Sequence, residues 1–240
     1  MKPGRQARPP ARQAIIIFGP PGAGKGTQAE LLSKRFFFFH VDTGRSIERI
    51  LYAPGAENDP VLVRERKKFE SGELCTPSWV LSIMRDRVMR LALADVSVVF
   101  SGYPREEFQA FGDGKEQGLL DLLAAEYGKE RMTVIQLLVP SEESMKRNST
   151  RLICSVCGLP VMGVGSSDPI QVVCNFCGGK LMQRSLDNPE DIRARLEVYK
   201  KQTFPLIERM RAYGIAVHEV NGVGAPYEIH ETLVKLLELA

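Results

Sequence analysis

The sequence predicts an α/β protein built on a doubly wound parallel sheet. Three observations support this prediction. A buried-strand pattern runs directly into a glycine-rich loop and a helical pattern, further short strand patterns alternate with helical ones, and a cysteine-rich segment interrupts the alternation late in the chain. Such alternation places helices on both faces of a parallel sheet and binds ligands at the carboxyl ends of its strands.

The first predicted element is a strand over residues 14–18, a continuous run of apolar and mostly β-branched side chains bounded by glycine and proline. A run of this kind is typical of a strand buried on both faces. A helix follows over residues 27–35, where apolar and polar residues alternate with a helical period. Four further strands are predicted over residues 37–41, 96–100, 133–139 and 215–220.

The chain carries four consecutive phenylalanines at positions 36–39. Exposed, they would promote aggregation, so we expect them to be buried as the lead-in to the second strand. We expect the three histidines, at positions 40, 218 and 230, to lack partners that would indicate acid–base work.

The composition fits one large hydrophobic core. The chain has 240 residues, 44% of them hydrophobic and 25% charged. No stretch approaches the roughly 18 apolar residues of a membrane span, so an integral membrane protein is not expected. Four basic residues and no acidic ones lie in the first twelve, and the rest of the chain has 28 basic against 29 acidic residues. Such a balance gives no basic face for nucleic acid.

Residues 1–12 also lack the apolar stretch of a secretory signal. We therefore expect a flexible basic tail and a cytoplasmic protein. In a reducing compartment, clustered cysteines favour metal binding over disulfides.

Four cysteines form two pairs separated by sixteen residues, namely Cys154, Cys157, Cys174 and Cys177. Two C-x2-C pairs at this spacing are typical of a zinc site, and a glycine after each pair permits the turn that supports the ligands. Four thiolates leave no open position, so the expected Zn²⁺ is structural, although iron or cobalt would also accept this donor set. The surrounding segment, residues 148–184, is too short for a core of its own.

Residues 19–27 read GPPGAGKGT, which matches G-x4-G-K with one glycine interposed before the threonine. Glycines let successive backbone N–H groups converge on phosphate oxygens at the start of a helix. We expect Lys25 to reach the β- and γ-phosphates and Thr27 to offer its hydroxyl to Mg²⁺.

Several stretches in the same order resemble the adenylate kinase family. They are GPPGAGKGTQAELLSKRF at 19–36, HVDTG at 40–44, SGELCTPSWV at 71–80, SGYPREEFQA at 101–110 and LMQRSLDNPEDIRARL at 181–196. The cysteine segment also resembles the long, zinc-stabilised lid of that family.

The resemblance implies reversible phosphoryl transfer from MgATP to AMP, giving two ADP. It implies a P-loop kinase core over residues 13–42, 73–147 and 185–240, a small helical monophosphate-binding insert over 43–72, and a zinc-bound β lid over 148–184. It also implies a monomer whose partners are ATP, AMP and ADP, with no membrane or nucleic acid.

The resemblance also implies residue roles. Arg105 would hold the acceptor phosphate and Gln109 the adenine of AMP, while Arg147 would stack on the ATP base. Catalysis is assigned to Lys25, Arg105, Arg147, Arg184 and Arg195. ATP binding is assigned to Gly22, Ala23, Gly24, Lys25, Gly26, Thr27, Arg147, Arg151 and Val223. AMP binding is assigned to Thr43, Arg45, Cys75, Gly102, Arg105, Gln109, Arg184 and Arg195.

The sequence departs from the family at two pairs of positions, 42 with 101 and 45 with 48. Asp42 stands where the family has serine, and Ser101 stands where it has the aspartate that orders water around Mg²⁺. Because both positions end neighbouring strands of the family's sheet, we expect the carboxylate to have moved to Asp42. At positions 45 and 48 the family has an acid and then a base, whereas this chain has Arg45 and then Glu48. Arg45, paired with Glu48, could therefore approach the acceptor phosphate. Arg49 is the other candidate for this role.

Two other functions stay open at the level of sequence. The first is a kinase for another nucleoside monophosphate, although Gln109 favours adenine. The second is a catalytically impaired nucleotide-binding protein, which the Ser101 and Glu48 departures motivate. The intact glycine loop, Lys25 and the arginines of the lid favour an active enzyme.

Overall fold

The structure is a computed structural model that describes residues 12–158, 160–161, 173–183 and 187–239. The expected tail, apart from Arg12, and the expected catalytic Arg184 lie outside these residues. Arg12 itself packs on the core, where its guanidinium donates to the carbonyl oxygens of Ala92 and Glu126, both at 2.6 Å.

The described residues form two sheets. The main sheet contains β1 (Ala14–Phe18), β2 (Phe39–Asp42), β3 (Val98–Ser101), β4 (Met132–Leu138) and β8 (Ala216–Asn221). The small sheet contains β5 (Leu152–Cys154), β6 (Pro160–Val161) and β7 (Leu181–Met182).

The helices cover both faces of the main sheet and form the inserts between its strands. They are α1 (Lys25–Phe36), α2 (Thr43–Leu51), α3 (Pro60–Glu70), α4 (Pro77–Leu93), α5 (Glu107–Phe111), α6 (Leu119–Tyr127), α7 (Ser141–Thr150), α8 (Pro189–Val198), α9 (Phe204–Ala212) and α10 (Pro226–Leu236). Between α8 and α9, residues 199–203 form a π-helical turn.

The main sheet has the strand order β2-β3-β1-β4-β8, and all of its strand pairs are parallel. From β1 the chain fills one side of the sheet with β2 and β3, and then the other side with β4 and β8. The order therefore switches sides at the carboxyl end of β1, where an open α/β sheet binds its ligands. The predicted doubly wound parallel fold is confirmed.

The sequence patterns place the five strands of the main sheet to within two residues. Residues 14–18 match β1, while the other four strands begin or end one or two residues from their predicted bounds. The first helix begins at Lys25, two residues before the predicted start, because Gly24 in a left-handed conformation already precedes the first helical turn.

Alternate residues of β1 supply the two halves of the core. Ile16 faces the cluster formed with α4, α6 and α9, whereas Ile15 and Ile17 face the cluster formed with α1 and α10. Both faces of β1 are buried, which explains why its sequence is a continuous apolar run.

The expected burial of the phenylalanine run is wrong for two of its four members. Phe36 and Phe38 are buried, but Phe37 is 62% and Phe39 41% exposed. Phe37 directly follows α1 and has φ 62°. Phe39 begins β2, which is the edge strand of the sheet. A strand with a neighbour on only one side cannot bury every side chain.

Among the described residues, no helix combines the length and apolar character that crossing a membrane requires.

Candidate functional site

The loop between β1 and α1 is shaped by glycines at positive φ, Gly19 at 151°, Gly22 at 77° and Gly24 at 87°. These angles turn the chain so that the amino end of α1 opens at the switch point of the sheet. The Nζ atom of Lys25 donates to the carbonyl oxygens of Gly19 and Pro20, both at 2.8 Å. The lysine side chain therefore lies across the loop.

One side of this loop packs against α7 and the other is open. A Cβ atom on Gly22 would lie 2.5 Å from Nδ2 of Asn148, whereas a Cβ atom on Gly24 or Gly26 would meet nothing within 4 Å. The buried Ser144 hydroxyl donates to the Pro21 carbonyl, and Asn148 Nδ2 donates to Ser144 O at 2.7 Å. The sequence analysis missed both α7 residues, whose only signal is a pair of small polar residues four positions apart.

Lys25 lies in a strongly positive environment. Its pKa is lowered to about 7, mainly by burial and further by the charges of Arg105, Arg195 and Arg151. The loop lysine and three of the expected arginines are thus close enough to repel one another. An anion placed among them would relieve this repulsion.

Asp187 forms ion pairs with two of these arginines, a role that was not predicted from the sequence. Its carboxylate is fully buried and accepts from Arg151 Nη2 at 2.7 Å and from Arg195 Nη1 at 3.3 Å. One carboxylate therefore orients Arg151, which directly follows α7, and Arg195, which lies on α8. A buried acid near arginines is difficult to recognise without the fold, because it looks like an ordinary polar residue in the sequence.

Arg147 lies on α7, the helix that packs against the loop. Its guanidinium donates to Glu143 at 2.7 Å and to the carbonyl oxygen of Gly222 at 2.9 Å. It therefore fixes the segment after β8 against α7. Val223, which the resemblance assigns to ATP binding, follows directly and is partly exposed.

Five of the residues expected to bind AMP line one pocket beneath α2. They are Thr43, Cys75, Gly102, Arg105 and Gln109. Arg105 Nε donates to Gly102 O at 2.9 Å, and Gln109 Oε1 accepts from the backbone N–H of Arg105 at 2.9 Å. The arginine and the glutamine are thus held together at one end of the pocket.

A buried carboxylate fixes the far wall of this pocket. Glu65 on α3 accepts from the backbone N–H of Thr76 at 2.6 Å and from its hydroxyl. Cys75, next to Thr76, is buried, and burial raises its thiol pKa to about 11. Cys75 therefore packs as an unreactive thiol.

Arg45 lies in a groove on the outer side of α2, together with Asp42 and Arg49. Asp42 caps α2 by accepting from the backbone N–H of Arg45 at 3.1 Å, and its other oxygen lies 3.5 Å from Arg45 Nε. The Arg45 guanidinium also donates to Gly158 O beside the second cysteine. The expected Arg45–Glu48 pair is wrong, because the capping carboxylate of Asp42 lies nearer to the same guanidinium.

Ser101 and Asp42 are direct register partners on β3 and β2, so the two departures from the family lie side by side as expected. The Ser101 hydroxyl lies 2.7 Å from His40 Nε2, and His40 Nδ1 lies 3.3 Å from a Glu30 oxygen. The expectation that the histidines lack partners is wrong for His40. Glu30 lies ten positions away on α1 and Ser101 lies 61 positions away on β3, and the fold brings both to His40.

The four paired cysteines converge in the small sheet, with their sulfur atoms within 4.8 Å of one another. Cys154 and Cys177 are 3.4 Å apart, and Cys157 and Cys174 are 3.7 Å apart. Tetrahedral thiolate ligation with Zn–S bonds of about 2.3 Å requires sulfur separations of about 3.8 Å, so the donor set fits zinc. Although burial opposes it, the Cys157 and Val156 N–H groups lower the pKa of Cys154 to about 6.

Comparison with known proteins is consistent with this geometry. The sequence model of a family described as adenylate kinase matches residues 17–215. The chain is 35% identical over 204 residues to an adenylate kinase of Caldicellulosiruptor bescii, covering 85% of this chain and 89% of the relative. It is 32% identical over 223 residues to one of Clostridium botulinum and 33% identical over 224 residues to one of Methanothrix thermoacetophila. Both alignments cover 93% of this chain and 97% of the relative.

Proposed function

The chain belongs to the adenylate kinase family and catalyses reversible phosphoryl transfer between ATP and AMP, and we propose how its own residues divide this work. The observation that carries the proposal is the convergence of Lys25 with Arg105, Arg151 and Arg195 beside the glycine loop. Phosphoryl transfer depends on positioning the two substrates and neutralising charge on the transferring group, and fixed cations do both.

On the acceptor side, we propose that AMP occupies the pocket under α2. Arg105 would bind the AMP phosphate, since its backbone and side chain are both fixed by neighbours. Gln109 is buried and uses Oε1 internally, which leaves its amide nitrogen to donate to adenine. Arg45 would have to leave Asp42 and the Gly158 carbonyl before it could reach that phosphate.

On the donor side, we propose that the N–H groups of the loop and Lys25 hold the ATP phosphates. Arg151 and Arg195, braced by Asp187, would contact the transferring group from the lid side. A guanidinium that is already oriented loses little entropy when it binds phosphate. Arg147 would cover the ATP base beside Val223, and Arg184 would complete the clamp.

We propose Mg²⁺ as the metal that enters with ATP. The oxygen donors at the carboxyl ends of the strands fit this hard cation, with the hydroxyl of Thr27 and the carboxylate of Asp42 as the candidates. Mg²⁺ would neutralise phosphate charge. Asp42 would supply, from the neighbouring strand, the negative charge that Ser101 lacks.

We propose Zn²⁺ as the ion held by the four cysteines. The support is the sulfur separations and the N–H groups of Val156 and Cys157, which donate to Cys154 Sγ at 3.4 Å. The ion would be structural and would keep the lid rigid as it closes. We further propose that the protein works as a monomer in the cytoplasm.

Replacing Arg105 with methionine tests the acceptor assignment. A charged hydrogen bond contributes about 1.5–3 kcal/mol, so R105M should lower kcat/KM for AMP about 10- to 100-fold while leaving the KM for ATP within about twofold. R90M, which changes an exposed arginine on α4, is the matched control. An unchanged kcat/KM for AMP in R105M would refute the assignment.

A further inference from the structure

Ser101 occupies a central place at the ligand-binding edge of the sheet. It ends β3 and is paired in register with Ile17 on β1 and with Asp42 on β2. Ile17 lies two residues before Gly19, where the phosphate loop begins. The buried Ser101 hydroxyl therefore borders the place where the nucleotide phosphates and their cation bind.

The partners of this hydroxyl form a chain that ends at the surface. Ser101 Oγ lies 2.7 Å from His40 Nε2, and His40 Nδ1 lies 3.3 Å from Glu30 Oε2. Glu30 in turn lies 3.4 Å from Lys34 Nζ. Along the chain, exposure rises from a nearly buried imidazole to a half-exposed carboxylate.

The Glu30 carboxylate fixes the direction of its own hydrogen bond with His40, and a neutral imidazole passes that direction on to Ser101. Although burial opposes it, the hydrogen bond to His40 and the charge of Lys34 lower the pKa of Glu30. An ionised carboxylate only accepts, so His40 Nδ1 must donate to it. In a neutral imidazole the other nitrogen then accepts, so the Ser101 hydroxyl must donate to His40 Nε2.

A serine whose proton is directed at histidine has only lone pairs for its remaining neighbours. The waters around a divalent cation are hydrogen-bond donors on their outer side, and a carboxylate normally accepts from them. A serine oxygen with its proton turned away can accept in the same manner, although it contributes no net charge.

We propose that His40 is a positioning residue that orients the Ser101 hydroxyl so that its oxygen accepts hydrogen bonds from the hydrated cation of bound ATP. Glu30 is the group that sets the orientation of His40. The proposal rests on the proposed use of Mg²⁺ and divides the role of the missing carboxylate between two neighbours. Asp42 supplies the charge, and Ser101 supplies an oriented acceptor.

The test is the Mn²⁺ affinity of the ATP complex of the full chain, measured by electron paramagnetic resonance, in H40Q, in S101A and in the double variant. One oriented hydrogen bond contributes about 0.5–1.5 kcal/mol, so each single variant should bind Mn²⁺ about 3- to 10-fold more weakly. The double variant should be no weaker than either single one, because both remove the same interaction. Metal-free ATP affinity should stay within about twofold.

H218Q is the matched control, since it makes the same change on β8, away from this edge. An S101D variant adds a second check, because an aspartate carboxylate accepts hydrogen bonds from the hydrated cation whether or not His40 is present. In that background H40Q should no longer weaken Mn²⁺ binding. Should H40Q fail to fold, E30A on the half-exposed face of α1 removes the orienting carboxylate and should shift the affinity in the same direction.

Three results would overturn the proposal: unchanged Mn²⁺ affinity in H40Q, additive losses in the double variant, or equal losses of metal-free ATP affinity. A merely structural His40–Ser101 bond would lower the melting temperature and leave Mn²⁺ affinity intact. Failure of the proposed function looks different, since the unmodified protein itself would then form no ADP from ATP and AMP.

Discussion

At the scale of single residues, the protonation of Lys25 depends on whether an anion is bound beside it. Burial and three arginines lower its pKa to about 7, so much of its charge is lost near neutral pH in the empty site. Bound phosphate favours the charged form and raises the pKa again. Substrate binding and protonation of Lys25 are therefore linked.

This linkage predicts proton uptake when ATP binds. At pH 8 the free site holds Lys25 mostly neutral, so binding should take up a proton fraction approaching one, and ATP affinity should fall as pH rises above 7. Calorimetry in buffers of different ionisation enthalpy measures the uptake. K25R, whose guanidinium does not titrate, is the control and should take up none; equal uptake in both proteins would contradict the assignment to Lys25.

At the scale of elements, Glu65 connects α3 to the start of α4. Its buried carboxylate accepts from the backbone and the hydroxyl of Thr76 and lies 3.1 Å from Arg64 Nε. Burial opposes ionisation, but these partners lower the pKa of Glu65 below its usual value. The pocket that we assign to AMP is closed on this side by that contact.

We expect E65Q to destabilise the protein by about 1–3 kcal/mol, because a buried acceptor of several hydrogen bonds is replaced by an amide that must also place two donors. The stabilisation from the wild-type carboxylate is present above its unfolded pKa and is lost as pH falls through the lower folded pKa. Urea unfolding at pH 7 and at pH 3 measures both effects. Equal stability of E65Q and wild type at pH 7 would refute the anchoring role.

The small sheet has a small apolar cluster in the part of the segment that the structure describes. Apart from the cysteines, this cluster holds the buried Leu181 and the partly buried Leu152 and Val161. Such a cluster offsets little of the entropy of ordering the segment, so we assign the remaining stabilisation to the proposed metal.

Removing the metal with a chelator under reducing conditions should therefore unfold the lid and leave the main sheet intact. Limited proteolysis should cut within residues 148–184, and kcat should fall at least about tenfold, because the arginines of the lid are no longer placed accurately. Readdition of Zn²⁺ should restore both properties. Full protease resistance and full activity after verified metal removal would contradict a structural ion.

At the scale of the whole molecule, one side chain joins the two inserts. Arg45 on α2 pairs with Asp42 and donates to Gly158 O in the cysteine sheet. Gly158 has φ 67°, a left-handed conformation that favours glycine, and a Cβ atom there would lie 2.7 Å from Arg45 Nη2 and displace it. Arg45 thus connects α2 to the cysteine sheet.

The sequence predicted the sheet, the glycine loop and the cysteine cluster for a physical reason. Strand periodicity, the glycine loop and the cysteine spacing are local patterns, so β1, Lys25 and the four thiols could be placed without the fold. Asp187, Ser144 and the Ser101 partner of His40 could not, because their contacts with Arg151, Pro21 and His40 span 36, 123 and 61 positions of sequence. The exposure of Phe37 and Phe39 was likewise missed, since Phe37 lies in the left-handed turn that ends α1 and Phe39 begins the edge strand β2.

The most direct test of the account is a coupled assay of ADP formation from MgATP with AMP, CMP, UMP and GMP on metal-analysed protein. We predict rapid turnover with AMP, two ADP formed per ATP consumed, and kcat/KM values at least about tenfold lower with the other three acceptors, because we assign the selection of adenine to the buried Gln109. Equal turnover with several acceptors would contradict the assigned pocket. No ADP from any acceptor, with ATP bound and zinc in place, would contradict the central claim.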